Sequence, residues 1–239
     1  MNLEVLYEDN HIIVVVKKPG ILSQSDISGD TDMLTMVKNY IKDKYNKPGN
    51  VYTGLVHRLD SNVGGPMIFA KTSKGASRLS EQMRNKTFHK GYFSLCYGIP
   101  QKKSGTLINF LKKDEKSNTV FEHSSGSLCQ LEYTVVNSYK NGENDFSLVY
   151  NVPITGRTHQ IRVQMALMGH PLLGDNKYGQ KYEKSTNKTI GLWSSVIRVK
   201  HPTKDEIMTF KSLPYNIYPW DLFHKNIIAD CLAFIEEMY

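Results

Sequence analysis

One carboxylate stands out by its setting. In the stretch GLVHRLDSNVGGPMIFAK, Asp60 follows His57-Arg58-Leu59 and precedes a Gly64-Gly65 pair and the apolar run Met67 to Ala70. The pattern reads as a strand, a tight loop and a second strand, with an acid at the bend. A carboxylate so near a cation and flanked by apolar residues can be held ionised yet poorly solvated, the state in which it serves as a nucleophile. The alternative for a lone Asp in a loop is a turn residue that bonds its own backbone. A second basic constellation, Thr155-Gly156-Arg157-Thr158-His159-Gln160-Ile161-Arg162, lies about a hundred positions on. Thr158 is placed to cap a helix running through Met168, which sets Ile161 and Arg162 in its first turns, near the positive end of the dipole.

Leu3 to Tyr7 and His11 to Val16 read as paired strands, broken by Lys17-Lys18-Pro19-Gly20. Lys17 and Lys18 are expected to be solvated at that turn, with phosphate contact as the alternative. Asp30 or Thr31 is the expected cap of a helix whose apolar face is Leu34, Val37 and Ile41. Thr72 or Ser73 caps another, with Ala76, Leu79 and Met83 inward. From Phe88 to Gly98 a period of two puts Tyr92, Ser94 and Cys96 on one face and Phe93, Leu95 and Tyr97 on the other. On this pattern Tyr92 is a core aromatic; a cleft aromatic is the alternative. The segment 101 to 130 carries Lys102-Lys103 and Lys112-Lys113 and reads as a surface hairpin or flap, either solvated or in contact with a polyanion. Strands are expected at 131 to 138, 146 to 152, 191 to 200 and 207 to 211, and a closing helix at 222 to 239.

The chain has 239 residues, enough for one large domain or two lobes sharing a core. A formal charge of +7 favours a polyanionic partner mildly. The placement of arginine is more telling. Of 30 basic residues six are arginine, and Arg58, Arg157 and Arg162 fall in the two stretches above, where a planar and permanent cation is useful. Cys96, Cys129 and Cys231 are odd in number and widely spaced, which fits neither a disulfide framework nor a zinc cluster. No metal-spaced His/Cys cluster or glycine-rich phosphate loop occurs. With no long apolar run and no leader, a membrane or secreted class is not indicated, and the expected setting is the cytoplasm.

Taken together and in order, these motifs resemble the RluA-like RNA pseudouridine synthases. Lys18-Pro19-Gly20 resembles the family's opening, His57-Arg58-Leu59-Asp60 its catalytic motif, and Lys90-Gly91-Tyr92 its Lys-any-Tyr. Residues 155 to 163 with Gly169-His170-Pro171, Gly174-Asp175 and Tyr178-Gly179 resemble its second signature, and His201-Pro202 a weaker third. The resemblance implies an α+β fold, a long, mixed and mostly antiparallel sheet with flanking helices and a central basic cleft. It implies one catalytic domain over residues 1 to 239, two lobes sharing one sheet, acting as a monomer. Asp60 would be the nucleophile that isomerises a uridine of ribosomal or transfer RNA, with no metal and no cofactor. Arg58 would displace or replace the flipped base, Tyr92 and Ile161 would pack against it, and Arg162 would pair with Asp60. This role puts Tyr92 in a cleft, against the pattern reading.

The sequence departs from the family at Val63-Gly64-Gly65-Pro66, where Thr-Ser-Gly-apolar is common, and at Gln164 and Trp193, often histidine. With strands beginning at residue 3, the small N-terminal RNA-binding domain of many relatives is expected to be absent. The changed loop suggests the alternative of an inactive RNA-binding or RNA-chaperone protein with the same fold. A sugar hydrolase would need a second carboxyl group as acid, and none stands out beside Asp60.

Overall fold

The computed structural model describes residues 3–25, 31–142, 144–179, 189–214 and 216–239. The chain forms two compact units, Met1–Lys90 with Ser194–Ser212, and Gly91–Trp193 with Leu213–Tyr239. Both mix helices with antiparallel sheet.

In the first unit, β1 (Glu4–Glu8), β2 (Ile12–Lys17), β3 (Gly54–Leu55) and β4 (Gly65–Ala70) make a sheet of order β1-β2-β4-β3. The β-branched run of β2 is buried along its whole length, as is β4, because both faces of this central pair are covered. The register sets Ile13 opposite Phe69 and Val15 opposite Met67. Asp9 makes the β1–β2 turn: its Oδ1 accepts the N–H groups of His11 and Ile12 at 2.7 and 2.9 Å. Helix α1 (Met33–Lys44) is capped by Asp32, whose side chain accepts from Thr35 N–H. This corrects the expected cap: Thr31 is not it, and Asp30 lies outside the described residues. Helix α2 (Ser73–Arg84) is capped by Thr72, as expected. Its Leu79 packs with Ile12, Val14, Ile68, Phe88 and Ile197, flanked by Ala76 and Met83.

Two strands of the same unit come late in the chain. β10 (Leu192–Lys200), which enters the unit at Ser194, pairs antiparallel with β11 (Ile207–Lys211). His201 starts their connection; its Nδ1 accepts the N–H groups of Thr203 and Lys204, so the proton sits on Nε2 and is donated to Asp9 at 2.7 Å.

In the second unit, β5 (His89–Tyr97), which enters it at Gly91, β6 (Ser104–Asp114), β7 (Thr119–Glu122), β8 (Ser127–Asn141) and β9 (Asn144–Pro153) run in the order β5-β9-β8-β6-β7. The flap is therefore ordered sheet: β6 and β7 pair with each other, and β6 pairs with the start of β8 at Ser127. Gly91 is fixed by packing, since a Cβ there would lie 1.7 Å from the Tyr150 hydroxyl. Phe93 and Tyr150 make an aromatic cluster with Phe234 of α4 (His224–Met238). Helix α3 runs Gln160–Leu167. All three cysteines are buried and unbridged.

Candidate active site

The loop bearing Asp60 is built by neighbours distant in sequence. The first strand of the motif is only Gly54–Leu55; from there to Asp60 the backbone joins no ladder. His57 and Leu59 point inward and Arg58 is exposed. His57 Nε2 accepts Ile68 N–H at 3.1 Å, which pins the segment to β4. Burial, with the Lys90 ammonium adding to it, pushes the His57 imidazole down to about 3, so this histidine is neutral and structural. Ser23 clasps Leu59 from both sides: its hydroxyl donates to Leu59 C=O at 2.7 Å and accepts Leu59 N–H at 3.0 Å. The bend itself falls at Ser61-Asn62, closed by Val63 N–H to Asp60 C=O at 3.0 Å. Gly65 then opens β4 with φ +121°, and a Cβ there would fall 2.0 Å from Ser194 C=O.

Lys17 completes this loop from beneath and corrects the expectation of a solvated lysine. It is fully buried, and its Nζ donates to the carbonyls of Ser61 and Val63 at 2.8 Å and of Lys18 at 3.2 Å. Burial pushes its ammonium down to about 7, against the opposing pull of the Asp60 carboxylate. A charged amine in a cage of three carbonyls is held where no solvent can substitute for it. The altered residues Val63 and Gly64 do not open the loop: Val63 is buried, and Gly64 C=O accepts Ser194 N–H at 2.9 Å.

Tyr92, Ile161 and Arg162 belong to the second unit, and all three are buried. Tyr92 stands on β5 opposite Asn151 of β9. Beside it on the same face Ser94 accepts from the buried Asn151 amide at 2.8 Å, a polar pair that alternation alone does not reveal. Ile161 and Arg162 occupy the first turn of α3, but the entrance differs from expectation. Thr158 is not the cap. His159, at φ 53°, precedes the helix without a side-chain cap. Gln160 instead ties down the turn before the helix: its Oε1 accepts from Arg157 N–H and the Thr155 hydroxyl at 3.1 and 2.8 Å, and its Nε2 donates to Gln130 C=O.

Within its own unit Arg162 is forked onto Asp175, Nε to Oδ2 at 2.7 Å and Nη2 to Oδ1 at 2.8 Å. Its guanidinium carbon lies 5.2 Å from the centre of the Tyr178 ring. Asp175 is the turn residue expected, accepting Lys177 and Tyr178 N–H, yet its main partner is this arginine. A two-point fork fixes the guanidinium plane as well as its position. Gln164, where the family often has histidine, is buried and donates to Leu107 C=O and Asn109 Oδ1 at 3.1 and 2.8 Å, tying α3 to β6. Trp193 is buried too. Among the described residues no helix is long and apolar enough to cross a membrane, and no group of three or more His, Cys, Asp or Glu could hold a metal ion.

Residues 11–167 match the family described as RNA pseudouridylate synthase. The chain belongs to that family. It is 30% identical over 217 residues to the dual-specificity RNA pseudouridine synthase RluA of Escherichia coli K12, covering 88% of this chain and 92% of that one. Within the family it is RluA-like. It is also 33% identical to an uncharacterized RNA pseudouridine synthase, YhcT, of Bacillus subtilis, over 86% of this chain and 67% of that one. With the large-subunit pseudouridine synthase C of Rickettsia prowazekii it shares 31% identity, over 74% of this chain and 56% of the relative. The human RNA pseudouridylate synthase domain containing 4 has the same fold, with a TM-score of 0.71 at 19% identity over 88% of each chain.

Proposed function

We propose that the protein is an RNA pseudouridine synthase acting on uridines of ribosomal or transfer RNA, with Asp60 as nucleophile. The observation that carries this is the construction around Asp60: a closed loop, caged from within by Lys17 and clasped by Ser23, in a chain of the RNA pseudouridylate synthase family. A loop so braced keeps a carboxylate in one place, as attack on a glycosidic centre requires.

The reaction is an isomerisation, so no co-reactant enters. The N1–C1′ bond breaks, uracil leaves as a tolerable anion, turns and rejoins through C5; C5 loses a proton and N1 gains one. No carboxylic acid is needed to protonate the leaving group, unlike a retaining glycosidase. A base taken out of its stack needs an apolar or aromatic surface, and Tyr92 and Ile161 are assigned to it. Arg58, exposed next to Asp60, is assigned to the place the base leaves. Arg162, held in plane by Asp175, is assigned to the electrostatic support of the nucleophile. The relatives' names speak for ribosomal RNA and for dual specificity. The protein is read as one catalytic domain, monomeric and cytoplasmic, and the inactive-binder alternative draws nothing from the loop at Val63–Pro66.

Nucleoside analysis and carbodiimide-stop mapping of unmodified ribosomal and transfer RNA test the reading. The wild type is expected to form pseudouridine at one or a few positions, and Asp60→Ala none while still binding RNA. Equal product from both proteins would remove Asp60 from the reaction, and no product from either would remove the function.

A further inference from the structure

Strands β6, β7 and β8 have one face on the core. Leu111, Val120 and Cys129 pack there with Val163 and Tyr178. The other face faces outward, and an antiparallel sheet with one solvated face ordinarily shows polar residues on it. Four positions break that rule. Ile108 is 61% exposed, Phe110 48%, Phe121 42% and Leu128 49%. Register makes them neighbours: Phe110 stands opposite Leu128, Ile108 opposite Gln130, and Phe121 opposite Lys112, the next outward residue after Phe110. The result is an exposed apolar patch in which the register sets Lys112 beside Phe110 and opposite Phe121, its ammonium donating to the Ser125 hydroxyl at 3.4 Å. The Phe121 ring is braced edge-on by His123, 5.9 Å away. A patch of this kind on a face the core does not use marks an interaction surface.

We propose that this face is a stacking platform for single-stranded RNA, with bases lying on Phe110 and Phe121 and a phosphate on Lys112. The proposal rests on the RNA-directed reading above and adds to it a second contact for the RNA, on the sheet face opposite the one that carries Tyr92. Charge selects the occupant. Residues 101 to 130 hold five lysines against three acids. The acids on the outward face stand at its margins: Glu132 opposite Thr106, and Asp114 at the end of β6, bonded to Ser117. A second copy of the chain fits worse, because a two-fold contact centred here would bring Lys112 against its own mate in an apolar setting. Rings on an open sheet surface accept any base, since every base has a π-face.

The test is binding of a fluorescein-labelled single-stranded RNA of about 16 nucleotides to Phe110→Ala, Phe121→Ala, the double variant and Lys112→Ala, across a salt series. Each phenylalanine variant is expected to weaken binding by about tenfold and the double by about a hundredfold, with an unchanged salt slope. Lys112→Ala is expected to flatten the slope by about one. Phe110→Trp with Phe121→Trp, which keeps both stacking faces, is expected to hold or raise the affinity, and this guards against a folding defect as the cause. Wild-type affinity in the double alanine variant overturns the proposal. So does a concentration-dependent dimer in sedimentation that the double variant abolishes, since the face would then join two copies. Pseudouridine formation by the wild type, measured beside these, separates the two readings: its absence removes the function, whereas the binding comparison alone decides the platform.

Discussion

Lys17 is the residue on which the Asp60 loop rests, and its behaviour with pH has a definite sign. The unfolded chain keeps this proton up to about 10.5, while the folded one releases it near 7. Between those values the unfolded state binds more protons, so stability climbs as pH rises. Chemical denaturation from neutral to alkaline pH is expected to show that climb in the wild type and its loss in Lys17→Met. At neutral pH the same variant leaves three carbonyls without their donor, for a cost of about 3 kcal/mol, and is expected to lower kcat by about a hundredfold through misplacement of Asp60. An unchanged kcat would show that the loop stands without its cage. Asp175→Asn keeps size but withdraws the charge that fixes Arg162. A fall in kcat with RNA affinity preserved is expected, whereas loss of both would make Asp175 a matter of folding alone. Neither residue's part was legible in the sequence. Lys17 bonds backbone carbonyls 44 and 46 positions away, and any residue types could have supplied those. Asp175 follows a glycine, so its turn was legible and its arginine was not.

At the scale of elements, Glu8 joins β1 to α1 and to the end of β4. Its carboxylate accepts from Lys44 at 2.7 Å, Lys71 at 2.6 Å and the Tyr45 hydroxyl at 2.9 Å. Burial works against the charge, but these donors outweigh it and hold the carboxyl at about 2. The stability Glu8 provides is therefore present above its ordinary value near 4.5 and is lost as pH falls toward 2. Glu8→Gln is expected to lower Tm at neutral pH and to match the wild type at the acid end; an equal deficit at both would mean that shape, not charge, is at work. Helix stripes and buried strands were legible because their periods are local: Val37 and Ile41, or the run of β2, carry their own evidence. The entrance to α3 was not. Thr158 has the right propensity for a cap, but the helix starts one residue later without a side-chain cap, and Gln160 and Thr155 brace the turn before it, where side chains that fold back leave no period to read.

The whole molecule carries +7, and its function as proposed requires a polyanion to be held while a single base is turned. Affinity for RNA is expected to fall linearly with log salt for wild type and Asp60→Ala alike, with the same slope, because the nucleophile is not a phosphate contact. A slope that changes with this substitution would place Asp60 among the groups that set affinity. Charge distributed over the surface also exposes most lysines to reagents, and here the buried amine becomes informative. Amines acylate in their neutral form, so at mildly alkaline pH the amine with the lowest affinity for its proton is intrinsically the most reactive. That is Lys17, the one lysine in the buried set among the described residues. Because that amine is out of reach of solvent, a native sample treated with an acetylating ester should nonetheless be labelled nearly everywhere else first, and the slow appearance of a modified Lys17 peptide would time the opening of the loop that holds Asp60.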